Sequence, residues 1–264
     1  MTCSWTNLPS CVGDYAVNAF FNFFLGILNA PVSTFVDFIK QLLMEPVNID
    51  IFHPTWLVIV YVISFFYVLI FLYAGFKFIS SANNPVERES AKDWLKNAFF
   101  LVVFVQASFF IYESALMLAS SLAAGMLNSI DTSFFSLSIE GSVGMQIMLL
   151  IPYLVVLLVT ALLLGIRYIL VSVGIIFFTL GIFAYFIEPI RDIGKFMVGV
   201  VLTVLFIPFL QAIMILAISK IVENFVGYKI LILICGFLLI DVATIAIVWF
   251  VVVRSAMNMN KLIR

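Results

Sequence analysis

The residues that could do chemistry in this chain are a few polar side chains set in long apolar runs, together with one short basic segment. Glu113 and Asp241 lie near the centres of the runs 97–130 and 230–253, and Gln106 and Gln211 are amides in similar settings. Arg167 is the basic residue placed deeply enough in such a run to face them. A charged side chain at the middle of a bilayer costs roughly 2.5–3.5 kcal/mol on insertion scales. Such groups therefore face a bundle interior, a water-filled path or a partner. A structural hydrogen-bonded role, pore lining and proton coupling are all open for Glu113 and Asp241. Gln106 and Gln211 are expected to hydrogen-bond between helices.

The basic segment runs Asn84-Pro85-Val86-Glu87-Arg88-Glu89-Ser90-Ala91-Lys92-Asp93-Trp94-Leu95-Lys96. Asn84 suits a helix N-cap and Pro85 the first helical position. Glu87 and Glu89 favour the positive end of the helix dipole. Arg88, Lys92 and Lys96 recur at i, i+4 and i+8, one basic stripe on one helix face, and Lys77 closes the apolar run before it. The stripe can meet nucleic-acid phosphates, anionic headgroups or an acidic partner, or it can anchor the loop on the positive side of a membrane.

Enzyme chemistry finds little to work with. His53 is the single histidine, so a site needing several imidazoles is excluded, and its place before Pro54 at the start of a run suits an interfacial residue. There is no G-x-x-x-x-G-K-[ST] phosphate loop, so energy from ATP would have to come from a partner. No Cys/His set has zinc spacing, and no cofactor is expected. Cys3 and Cys11 can pair if the N-terminus meets an oxidising exterior and are otherwise free thiols; Cys235 reads as a small hydrophobe. Residues 1–39 hold no Lys or Arg, so the basic region of a secretory signal is missing.

These residues sit in a frame set by composition. Hydrophobic residues are 65% of the 264 and charged residues 10%, against about 45–50% and about 25% in an average globular chain. A chain this apolar cannot cover itself with polar groups in water. The expected fold is all-α, a polytopic integral membrane protein in the cell membrane. About six transmembrane helices are predicted near 56–77, 97–127, 143–164, 168–187, 196–219 and 230–253, because lipid offers the backbone no hydrogen bonds and a crossing takes about 20 residues. The stretch 141–187 is too long for one crossing, so a hairpin is predicted at Gly165-Ile166-Arg167; one crossing plus a re-entrant segment is the alternative.

The segment 1–54 reads as an external or interfacial region ahead of a membrane domain over 55–264. Within it, 15–44 is predicted as an amphipathic helix, with Asn18, Asn22 and Asn29 on one face, Phe20, Phe24 and Ile27 on the other, and Pro31 as a break or kink. A seventh span is the alternative. Loop 78–96 is basic and loop 128–142 carries no Lys or Arg, which makes the first cytoplasmic and the second external. In the C-terminal half the charge count favours three crossings and the run lengths four. Ala115, Ala119 and Ala123 form a small-residue stripe suited to close helix packing, and Pro152 and Pro208 are expected to kink their helices.

The segment from Tyr73 to Asn97 also resembles a family signature: a span ending in Gly75-Phe76-Lys77, then Ser81-Ala82, Asn84-Pro85 and Arg88, then Ala91-Lys92-Asp93-Trp94-Leu95-Lys96-Asn97 opening a new span. It resembles the CedA-like membrane proteins of crenarchaeal DNA exchange and is more distantly similar to the TrbL/VirB-type channel proteins of type IV secretion and conjugation. Glu188-Pro189-Ile190-Arg191 fits more loosely. The large external loop of some bacterial relatives has no counterpart in 128–142. The resemblance implies a channel subunit for DNA import, oligomeric in membrane lipid, working with a HerA/VirB-type ATPase and small two-helix membrane subunits, with Lys77, Arg88, Lys92 and Lys96 toward DNA phosphate or the ATPase. An ion- or proton-coupled transporter using Glu113 and Asp241, and a non-transporting platform for a pilus or secretion system, are the rival readings.

Overall fold

The computed structural model describes residues 8–81, 85–130, 134, 143–225 and 228–262, with side chains described for most of them. Among these residues the chain is helical without strands. Six α-helices follow in order: α1 Leu8–Met44, α2 His53–Ser80, α3 Pro85–Leu127, α4 Val143–Phe186, α5 Arg191–Asn224 and α6 Lys229–Leu262. Short 3-10 turns, Asp50–Phe52 and Glu188–Ile190, lead into α2 and α5. Five helical stretches are long and apolar enough to cross a membrane: Asp50–Ser80, Pro85–Leu127, Met148–Phe186, Glu188–Asn224 and Lys229–Val253.

The hairpin expected at Gly165-Ile166-Arg167 is absent. Residues 143–186 form one helix of 44 residues, about 66 Å at 1.5 Å per residue. The separate spans 143–164 and 168–187 are therefore halves of one helix. The reason is backbone hydrogen bonding. A turn would strip up to four N–H and four C=O groups of partners in a layer that offers none. Glycine in a helix interior costs only about 0.5–1 kcal/mol. Length alone is a poor guide to crossings, because a helix can tilt and can bury its excess apolar surface in protein. Proline does not end helices here either: Pro31, Pro152 and Pro208 all lie inside α1, α4 and α5. At Pro85 the helix begins where the sequence places it, and it runs on through the predicted loop into the span, 43 residues without a break.

The chain divides into two compact units. The first comprises residues 1–45, 123–165 and 209–243; the second 46–122, 166–208 and 244–264. In the first unit α1 buries a stripe of Val32, Val36, Ile39 and Leu43, spaced three and four apart, in a core with Leu157 and Leu164 of α4, Ala212 and Ile215 of α5, and Leu233 and Phe237 of α6. Phe20 and Ile27 are exposed, while the side chains of Asn18, Asn22 and Asn29 lie outside the described residues. In the second unit Trp56, Val60 and Ile63 of α2 pack with Leu101, Val105 and Tyr112 of α3 and Val171, Ile175 and Phe178 of α4. The two most buried spans are those of α5 and α4, with 44% and 39% of their apolar windows inside, against 17% for α2. α2 therefore turns a large apolar surface outward.

Small residues set how closely α4 and α5 approach. A Cβ on Gly181 would stand 3.0 Å from the Met197 and Val198 side chains, and one on Gly194 would collide with the backbone of Tyr185 and Ala184. A Cβ on Gly174 would sit 2.6 Å from the Tyr112 hydroxyl, which donates to the Val171 carbonyl at 2.6 Å. Gly165 has nothing within 4 Å. Two substitutions separate the roles. Gly194→Ala is expected to destabilise the protein by about 1–3 kcal/mol, as overpacking does. Gly165→Ala is expected to be neutral or stabilising by up to about 1 kcal/mol, because it removes chain freedom from a helical position. Thermal midpoints in detergent, followed by size-exclusion chromatography, measure both; a midpoint lowered by Gly165→Ala would contradict the continuous α4.

Candidate functional site

The basic segment lies on the first turns of α3, against the last turns of α2. Ala91 is fully buried and Ala98 nearly so, which fixes the face of α3 turned to the protein. Lys77 is half-buried in this junction. Its Nζ donates to the Ser90 hydroxyl at 3.2 Å and stands 5.8 Å from the centre of the Trp94 ring, which also meets Tyr73 edge-on at 5.1 Å. Arg88 places its guanidinium 5.8 Å from the Phe78 ring. Lys92 and Lys96 are exposed and have no hydrogen-bond or ion-pair partner among the described residues. The structure therefore splits the four cations. Lys77 holds the α2–α3 junction, and Arg88, Lys92 and Lys96 form the outward stripe, with Glu89 and Asp93 also exposed on that segment.

The five intramembrane polar residues divide as well. Gln106 is exposed on α3, a correction to the expectation that it bonds between helices. The buried face of α3 is taken by Leu101, Val105, Ser108 and Tyr112, which leaves position 106 on the far side. Glu113 is half-buried and has no partner among the described residues. Positions seven apart on a helix differ by only about 20°. Lys92, Phe99, Gln106, Glu113 and Ser120 thus follow one line along α3, from an exposed cation outside the apolar run to an amide and a carboxyl inside it.

Arg167, Gln211 and Asp241 are buried, at 8%, 3% and 4% exposure. Arg167 Nε donates to the Val204 carbonyl of α5 at 3.4 Å, so the charge that marked a turn in the sequence is housed between two helices. Asp241 Oδ2 accepts from the Thr160 hydroxyl of α4 at 3.0 Å. Glu113 and Asp241 belong to different units. Ala119 and Ala123 are buried as the small-residue stripe requires, and Ala115 is half-buried.

A polar cluster in the second unit had no signal in the sequence. The Trp56 indole N–H donates to the Ser108 hydroxyl at 2.9 Å, and Ser108 Oγ lies 3.0 Å from Thr179 Oγ1. Three helices are joined by groups 52 and 71 residues apart in the chain. Isolated serine and threonine in apolar runs are too common to single these out. The His53 ring, exposed at the start of α2, packs beside this cluster, 5.4 Å from Trp56 and 4.9 Å from Phe109. Among the described residues no group of three His, Cys, Asp or Glu could hold a metal ion. Cys235 is a free, exposed thiol. The pair Cys3 and Cys11 lies outside the described side chains.

No protein-family model, curated protein or solved structure matches the chain. The likeness to DNA-transfer proteins therefore rests on residues 73–97 and, more loosely, on 188–191.

Ser108→Ala would remove the oxygen shared by Trp56 and Thr179 and strand a buried indole N–H. A loss of about 1–3 kcal/mol is expected, read as a lowered thermal midpoint in detergent. Ser120→Ala, on the half-exposed side of the same helix, should stay within about 0.5 kcal/mol of the parent.

Proposed function

We propose that the protein is a membrane channel subunit of a DNA-import system, oligomeric and driven by a separate ATPase. The observation that carries this reading is α3. It presents Arg88, Lys92 and Lys96 on an exposed helical surface and continues unbroken into a span whose same side bears Gln106 and Glu113. An exposed amide and a half-exposed carboxyl in hydrocarbon are costly, so this line faces water or protein. Each unit is itself filled by apolar side chains. A conduit therefore lies between copies, or between this chain and partner subunits, with the α3 line along it. The basic turns then meet DNA phosphate or the ATPase at the mouth, where charge acts independently of sequence. The resemblance over 73–97 supports the same assignment.

Five crossings through α2 to α6 agree with the charge distribution. They put Lys77, Arg88, Lys92, Lys96, Arg191, Lys195, Arg254, Lys261 and Arg264 on one side. The opposite side then holds Lys40, Lys220 and Lys229, and Lys220 is paired with Glu223 at 2.8 Å. The first side is cytoplasmic by the positive-inside rule. A six-crossing chain would place Glu188 outside instead. Labelling of a Glu188→Cys variant in intact cells by an impermeant thiol reagent, with the native cysteines replaced, should fail until the membrane is opened, whereas Tyr228→Cys should react from outside.

The function is tested in the host. Combined charge reversal at Arg88, Lys92 and Lys96 should lower uptake of a chromosomal marker by recipient cells by about tenfold or more, because each lost phosphate contact weakens DNA binding steeply. The variant protein must still insert, and the same cells should remain normal as donors. Unchanged uptake with inserted protein would remove the proposal; loss of partner binding without a DNA defect would point to a platform.

A further inference from the structure

The first unit holds a proton-counting problem at the contact between α4 and α6. The Thr160 hydroxyl has one hydrogen. Two oxygens lie 3.0 Å from its Oγ1: the Val156 carbonyl one turn back on α4, and Oδ2 of Asp241 on α6. One hydrogen can serve one of these contacts. The other sets two oxygens at hydrogen-bonding distance with nothing positive between them. The second oxygen of Asp241, Oδ1, is buried without a hydrogen-bond partner, and so is the Tyr153 hydroxyl, seven residues before Thr160 on the same face of α4. Buried polar atoms without partners are few in folded proteins, and a bound water or ion is one way to satisfy them.

A third helix reaches the same level. α5 and α6 are joined by residues 225–228 and run antiparallel, with Ile218 against Gly236. Five residues beyond Gly236 is Asp241, and five before Ile218 is Ile213. The buried amide Gln211 is therefore about 3 Å away along the axis. The other ionisable groups of the elements packed here are as follows. α1 brings Asp37 and Lys40, with Glu45 just after it; α5 brings Lys220 and Glu223 here and Arg191, Asp192 and Lys195 at its far end; α6 brings Lys229; among the described residues none forms an ion pair with Asp241, and the side chains of Asp14, Arg254 and Lys261 lie outside them. Tyr153 is the other ionisable group buried in this core among the described residues.

We propose that Asp241 and Thr160 form a binding site for an exchangeable monovalent cation, a proton or a sodium ion, in the seam between α4, α5 and α6. A proton on the carboxyl completes the contact to Thr160 while the hydroxyl donates to Val156. A sodium ion completes it by bridging the same two oxygens. Either one removes the bare carboxylate charge from the apolar interior, and its release would expose that charge. The site gives the protein a way to sense or move cations that is separate from the basic face of α3.

The test uses the purified protein in detergent and dicyclohexylcarbodiimide, which modifies carboxylic acids in apolar surroundings, with peptide mass spectrometry of the segment holding Asp241. Modification of Asp241 that falls several-fold as pH rises, with no effect of sodium, identifies a proton site. Modification that falls several-fold on replacing choline chloride by sodium chloride at constant pH identifies a sodium site. Thr160→Val should move the pH midpoint of a proton site and abolish the dependence of a sodium site, and Thr160→Ser, which keeps the hydroxyl, should retain the parent's behaviour. No modification of Asp241, or modification indifferent to both pH and sodium, would overturn the proposal without any variant being needed.

Discussion

Inside a bilayer, a peptide group that leaves its helix finds no water to bond to, and an unbonded group there costs several kcal/mol. That penalty exceeds the cost of a glycine, of a proline or of excess length in a helix. It is consistent with α4 running unbroken through Gly165 and Pro152. Once the helices are this long, few connections remain to choose.

Helices that cannot bend away from one another must specify their contacts along their length. Between α4 and α5 they do so with Gly181 and Gly194, which let the backbones close up. Hydroxyls and an indole supply direction where apolar surfaces alone are interchangeable: Tyr112 on the Val171 carbonyl, and Trp56, Ser108 and Thr179 across three helices. Lipid is as apolar as leucine, so burial gives little preference for one helix neighbour over another. Small residues and polar bonds therefore carry more of the specificity here than they would in water.

The polar residues fall into two kinds with different work. Arg167, Gln211 and Asp241 face inward, and Arg167 and Asp241 bond to the neighbouring helices α5 and α4. Gln106 and Glu113 face outward along α3, below the basic turns. An outward polar line in a span asks for a neighbour or for water, because hydrocarbon satisfies neither an amide nor a carboxyl. The inward set asks for something small. The outward and inward polar residues are thus separate groups of side chains.

Much of the architecture was legible in the residues themselves. The helical class, the membrane setting, the start of α3 at Pro85 and the helical basic stripe all follow from hydropathy, capping and spacing, which are local properties of the chain. Sequence could not say which face of α3 Gln106 occupies, because an amide in an apolar run looks the same on either side until neighbouring helices claim one of them. It misread 165–167, where a glycine and an arginine resemble a turn unless the backbone cost and the Val204 carbonyl are known. It was silent on Thr160 beside Asp241, 81 residues apart. Local periodicity determines what each helix is. The partners of its polar groups were decided by helix packing, where residues far apart in the chain meet at distances of 3 Å.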